Sequence, residues 1–206
     1  MKIYGSVFFF FFLTFMYGQE LSQNATNIMY EAFLEAINKK DTLITQVFKK
    51  YKCSEYFSGN INFYYKNKKL KLIKHLYKQH ADVSLEYYFI ENDTLRMQTL
   101  ISEIIRFNTF YYENAQEKSS SMEKVLEVVE FRTLFEDDLI ASCYERRNMQ
   151  KHSEWDSDFF NSMDFEKNAC LKDNVEDINY KYRLLRKAEK KLIRYRNKPS
   201  CIFHMW

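Results

Sequence analysis

The groups able to ligate a metal or attack a substrate are His75, His80, His152 and His204, together with Cys53, Cys143, Cys170 and Cys201. A metal site needs several such ligands converging on one point. The histidines are scattered, and on one extended strand His75 and His80 would point to opposite faces. The cysteines form no CxxC, which argues against a redox pair or a zinc ribbon. Ser119, Ser120 and Ser121 end a polar stretch from Asn114, with no neighbouring histidine to act as base. That stretch reads as a loop. Cys143 falls in a strand pattern, where a core or disulfide role is expected. No catalytic, metal or cofactor-binding residue follows from these groups, and no cofactor is expected.

Carboxylates gather at Glu136-Asp137-Asp138 and at Glu154, Asp156 and Asp158. Paired carboxylates hydrolyse glycosides only when held at a fixed separation in a cleft. The first group sits where a hairpin turn favours Asp for backbone reasons. The second lacks the glycine and spacing of a calcium loop. Both read as solvated surface. The only glycines are Gly5, Gly18 and Gly59, and Pro199 is the only proline. Phosphate loops, dinucleotide turns and nucleophile elbows need clustered glycines and are therefore excluded. A formal charge of +3 is too small to argue for nucleic acid.

Aromatic surface is the better candidate for function. Tyr64 and Tyr65, Tyr87 and Tyr88, and Tyr111 and Tyr112 are adjacent pairs in strand-like sequence. Neighbours on a strand face opposite ways, so one of each pair would face away from a covering helix. Tyrosines on an open sheet face can stack on a glycan or peptide. These six residues are the candidate binding surface, and cross-strand pairing that only stabilises the sheet is the reading weighed against it. A C-terminal helix adds a basic face of Lys181, Arg183, Arg186, Lys187, Lys190, Lys191, Arg194 and Arg196. Its opposite stripe, Ile178, Tyr182, Leu185, Ala188, Leu192 and Tyr195, is what a sheet requires. The basic face then reads as solvated, with anionic headgroups as the alternative partner.

The elements that position these groups begin with a leader. Met1-Lys2 precedes an apolar run from Val7 to Phe12, extended by Leu13, Phe15 and Met16. The run is too short to span a bilayer and fits a signal peptide over residues 1–18. Residues 19–206 are then one domain, expected to be periplasmic or secreted, with no transmembrane segment after cleavage. Four cysteines in such a compartment allow disulfides in three complete pairings. A helix over residues 174–196 would be roughly 33 Å long. Cys170 and Cys201 lie just beyond its opposite ends, too far apart for one bond. The two other pairings stay open.

Ile28, Phe33, Leu34 and Ile37 predict a helix over 27–38, with Asn24 or Thr26 as candidate caps. Thr42 to Tyr51 is ambiguous. From Asn60 the period becomes two, giving hairpins that turn at Lys66-Asn67-Lys68-Lys69, at Glu91-Asn92-Asp93 and at Glu136-Asp137-Asp138. Aligning Leu70, Leu95 and Leu139 relates the three. A short helix is expected within 155–163. The predicted fold is α+β: an antiparallel meander of about six strands over 60–145, an N-terminal helix, and a long basic C-terminal helix on one sheet face.

These segments resemble a family of small exported proteins of unassigned function from Bacteroidetes-type bacteria. The resemblance is carried by Ile61-Asn62-Phe63-Tyr64-Tyr65 with Leu70-Lys71-Leu72-Ile73, and by Glu86-Tyr87-Tyr88-Phe89 with Leu95. Phe107-Asn108, and Phe131-Arg132-Thr133-Leu134-Phe135 with Asp138-Leu139-Ile140, complete it. Thr133-Leu134 replaces an aromatic pair of that pattern, and the first hairpin lacks its glycines. The resemblance implies export and a meander closed by a helix, and carries no catalytic residue. The expectation is a non-enzymatic envelope protein that binds a protein or glycan partner. A glycan or cell-wall hydrolase and a membrane-surface accessory protein are the alternatives.

Overall fold

The computed structural model describes residues 25–80, 82–113, 118–136, 139–191 and 201–204, without the side chains of 111–113, 118–120, 139–141 and 204. The leader, Asn24, and the helical residues expected beyond 191 lie outside the described residues.

Helix α1 spans residues 25–38. It is followed by β1 (Ile44–Lys52), β2 (Phe57–Lys66), β3 (Lys69–Gln79) and β4 (Asp82–Glu91). Then come β5 (Thr94–Glu113), β6 (Lys118–Glu136), β7 (Leu139–Lys151), α2 (Ser157–Ser162), β8 (Glu166–Asn168) and α3 (Lys172–Lys191). All eight strands form one antiparallel sheet in chain order. The meander is thus longer than six strands. The ambiguous stretch is edge strand β1, and short β8 adds the opposite edge. Ser119 to Ser121, expected in a loop, lie in β6 opposite Tyr112, Tyr111 and Phe110.

Two hairpins turn on left-handed residues, Asn67 and Lys68 (φ 54° and 62°) and Asn92 and Asp93 (φ 50° and 64°). Such two-residue turns match the twist of the strands they join, and Asn and Asp tolerate them where glycine is absent. Each of the three hairpins carries a register shift at the same place, where Tyr65 pairs with Leu70, Ile90 with Leu95 and Phe135 with Ile140. The equivalent of Leu70 and Leu95 is therefore Ile140, not Leu139. The extra residues are Lys71, Arg96 and Ala141. Their insertion sends Leu70 and Leu72 to opposite sides of the sheet, and likewise Leu95 and Met97.

Around the hairpin-turn ends of β2 to β6 both faces of the sheet are consequently apolar and both are covered. On one side α1 lays Tyr30 and Phe33 over Tyr64, Leu72, Phe89, Met97 and Leu134. On the other, α3 lays Val175, Leu185 and Ala188 over Phe63, Ile73, Tyr88 and Ile90. Leu72, Ile73 and Ile90 are fully buried, and each contributes about 1.5–3 kcal/mol. The basic helix packs as expected, but two of its cations are not solvated: Lys181 reaches Glu86, and Arg186 reaches Asp93. Lys49 of β1 donates to the carbonyls of Ala188 and Glu189 at 2.9 and 2.6 Å, which favours the C-terminal end of α3.

Disulfides Cys53–Cys201 and Cys143–Cys170 close the structure. Cys170 and Cys201 are not joined to each other, as the helix length requires. Asp156, one of the clustered carboxylates, caps α2 by accepting from the backbone N–H of Asp158 and Phe159.

Candidate functional site: a cavity beneath α3

Gly59 is the starting point on the α3 face. It pairs with Tyr51 across β1 and β2, and a Cβ there would lie 2.6 Å from the Tyr51 hydroxyl. The missing side chain lets the Tyr51 ring lie against the strand and reach β3. Its Oη is 2.8 Å from His75 Nε2, and His75 Nδ1 is 2.9 Å from Glu86 Oε2. Tyr88 donates to the same oxygen at 3.0 Å. The other carboxylate oxygen accepts from Lys181 Nζ at 2.6 Å and from Tyr77 Oη at 3.3 Å.

The charge states follow from burial and partners. Burial pushes the His75 imidazole down, against the pull of Glu86, and the ring is neutral. Burial alone would push the Glu86 carboxyl up. The His75 hydrogen bond and the Lys181 ammonium outweigh it and hold the carboxyl below its usual range. Nδ1–H of His75 therefore donates to an ionised Glu86, and Tyr51 donates to Nε2. The order Tyr–His–Glu resembles a nucleophile with its base and orienting acid. Tyr51, however, is 2% exposed, burial pushes its phenol up, and it is not among the cavity-lining residues. The arrangement is a saturated polar core. It is not primed for attack.

Beside this core lies a cavity of about 730 Å³ between α3 and strands β4 to β7. Tyr77, Glu86, Tyr88 and Lys181 form one wall. Leu100, Phe131, Val175, Ile178 and Phe203 supply apolar lining, and the Cys143–Cys170 disulfide and Leu171 bound the side near β8. Asn174, Asp177 and Tyr180 of α3 are exposed at its edge. Gln98 of β5 also lines it and is 3% exposed. Its amide makes no hydrogen bond to any described residue.

The opposite face holds a second polar cluster. Glu130 accepts from Arg132 Nε at 2.9 Å and from Arg146 Nε at 2.8 Å. Both guanidinium groups lie over the Phe165 ring, at 4.4 and 4.6 Å. Arg132 also reaches Glu31 of α1 at 2.8 Å. This cluster pins α1 and the segment after α2 to the sheet.

The predicted tyrosine surface is not an open face. The pairs do straddle the sheet, with Tyr64 and Tyr87 under α1 and Tyr65 and Tyr88 under α3. Tyr64 and Tyr88 are buried, and Tyr65 and Tyr87 are half-buried. A second helix covers the side expected to be free. The side chains of Tyr111 and Tyr112 lie outside the described residues. Of the histidines, His75 is in the core and His80 stacks on Tyr56 in a turn beyond β3. Among the described residues, no group of three His, Cys, Asp or Glu side chains is placed to hold a metal ion.

Glu86, Gln98 and Lys181 were not legible as a group. The available signal was a charge or amide inside strands that are apolar on both faces. No helix among the described residues is long and apolar enough to cross a membrane. Compared with known proteins, the chain matches no family model, no curated protein and no solved structure.

Proposed function

We propose that the chain is an exported, non-enzymatic binding module of the cell envelope, and that it holds its ligand in the cavity beneath α3. The observation that carries this reading is the cavity itself. Its volume of about 730 Å³ falls within the range of small-ligand sites, as do its largely apolar wall and few polar groups. Glu86, the buried carboxylate of its lining, argues for binding over hydrolysis. Glu86 has both oxygens occupied and a depressed pKa, whereas a general acid at neutral pH needs a raised one. A membrane-surface role is weakened because the apolar stripe of α3 is used by the sheet. Export is supported by the apolar leader and by two disulfides, which persist in oxidising compartments.

The test uses the uncharged fluorophore N-phenyl-1-naphthylamine. Its emission rises when it enters the folded protein, and Leu100→Trp, which fills the cavity, suppresses the rise without lowering helix and sheet content by circular dichroism. Equal emission from both proteins would contradict the site. Cell fractionation with thiol alkylation tests export: the protein is expected disulfide-bonded in the envelope fraction, and a reduced cytoplasmic pool would overturn that part.

A further inference from the structure

Resting on the reading that the cavity is a ligand site, we propose that it selects an uncharged ligand carrying a carboxamide on an aromatic or branched aliphatic body. The selection begins with charge. Among the described residues Lys181 is the cation that faces the cavity, and Arg132 borders it with its guanidinium turned to the α1 face. Lys181 is 2.6 Å from Glu86, and Arg132 is 2.9 and 2.8 Å from Glu130 and Glu31. Both are committed to carboxylates, so a buried anion would find no counter-ion. A buried cation fares no better. Glu86 has its oxygens occupied, and Glu145 is engaged by Asn168 at 3.0 Å and Arg147 at 3.3 Å. Asp177 lies exposed at the edge, where water screens it.

Gln98 then sets the head group. A primary amide offers an acceptor and two donors in one plane. Its complement is a group with one acceptor and one donor at the same spacing, which a carboxamide supplies and a hydroxyl or ether does not. Because Gln98 is 3% exposed and unpaired among the described residues, a ligand that satisfies it gains a hydrogen-bond pair formed away from water. The body follows from the apolar lining. Phe131 and Leu171, though they line the cavity, are 38% and 63% exposed, leaving apolar surface for a ligand to cover.

The experiment competes N-phenyl-1-naphthylamine off the full-length protein with 4-phenylbutanamide, 4-phenylbutanoate and 4-phenylbutylamine, which share a body and differ in head group. The amide is expected to displace the fluorophore at a concentration at least tenfold below either ion. Gln98→Leu is expected to weaken the amide about tenfold more than it weakens the fluorophore, whose binding is measured directly on each variant, and Gln98→Met serves as the second variant should the first fail to fold. An ion that competes as well as the amide, or an amide indifferent to both variants, overturns the ligand class and leaves the cavity reading standing. Failure of the fluorophore to bind at all overturns the cavity reading and this proposal with it.

Discussion

His75 Nδ1 lies 2.9 Å from Glu86 Oε2, and both side chains are buried beneath α3. The pair joins β3 to β4 through a neutral ring and an ionised carboxylate. In the folded state the imidazole titrates below its ordinary value near 6.5, and the carboxyl below its ordinary value near 4.5. Both contributions to stability are therefore present above those ordinary values and are lost as pH falls through the folded ones. The melting temperature should hold near neutral pH and fall as pH drops below about 6.5. His75→Gln should melt lower throughout and lose the part of that decline that sets in just below about pH 6.5. Calorimetry across pH decides this. An unchanged slope in the variant would show that His75 is not the titrating group.

Glu86 and Lys181 join the sheet to α3 at 2.6 Å, with the ammonium stem mostly buried. Removing one partner strands the other, so Glu86→Gln is expected to cost about 3–5 kcal/mol. Lys181→Met should also destabilise. The double variant should lose clearly less than the sum of the two, which urea melts of all four proteins would measure. Additive losses would mean that the two groups do not interact.

Gly59→Ala should be costly for a local reason. The new Cβ would meet the Tyr51 hydroxyl at 2.6 Å and its ring carbons at 2.7 Å. Displacing the ring breaks its bond to His75, and overpacking of this kind costs about 1–3 kcal/mol. In a Tyr51→Leu background the same substitution should cost less. Equal costs in the two backgrounds would rule out the contact as the cause.

The two disulfides should differ in weight. Cys53–Cys201 joins residues 148 apart in sequence, and Cys143–Cys170 joins residues 27 apart. Loop-closure entropy makes removal of the first cost about 5 kcal/mol and of the second about 3.5 kcal/mol. Paired Cys→Ser variants, compared by chemical denaturation, would test the order. Because the Cys143–Cys170 bond borders the cavity, its loss should also weaken fluorophore binding, while loss of the other should not.

The turns were legible in the sequence because Asn67-Lys68 and Asn92-Asp93 stand between alternating runs. The bulges were not. One extra residue, such as Lys71 or Arg96, leaves no compositional mark, yet it reverses the face of every residue behind it. Edge strand β1 was obscured because Thr45 to Phe48 are exposed on both faces, so no period emerges. The pairs Tyr64-Tyr65 and Tyr87-Tyr88 do divide between faces, but the second cover, α1, was not foreseen, and it turns an open surface into core. Glu86 and Gln98 escaped notice for the same reason. In a strand buried on both sides, a lone polar residue does not interrupt an alternation, because there is none to interrupt.

Native mass spectrometry of the protein recovered from its own cells tests the cavity as a binding site most directly. The expected result is a bound organic species that fits a cavity of about 730 Å³, carried by the unaltered protein and absent from Leu100→Trp isolated in parallel. The same bound species on both proteins would place the ligand elsewhere, and a bare chain in both cases would contradict the cavity as a binding site.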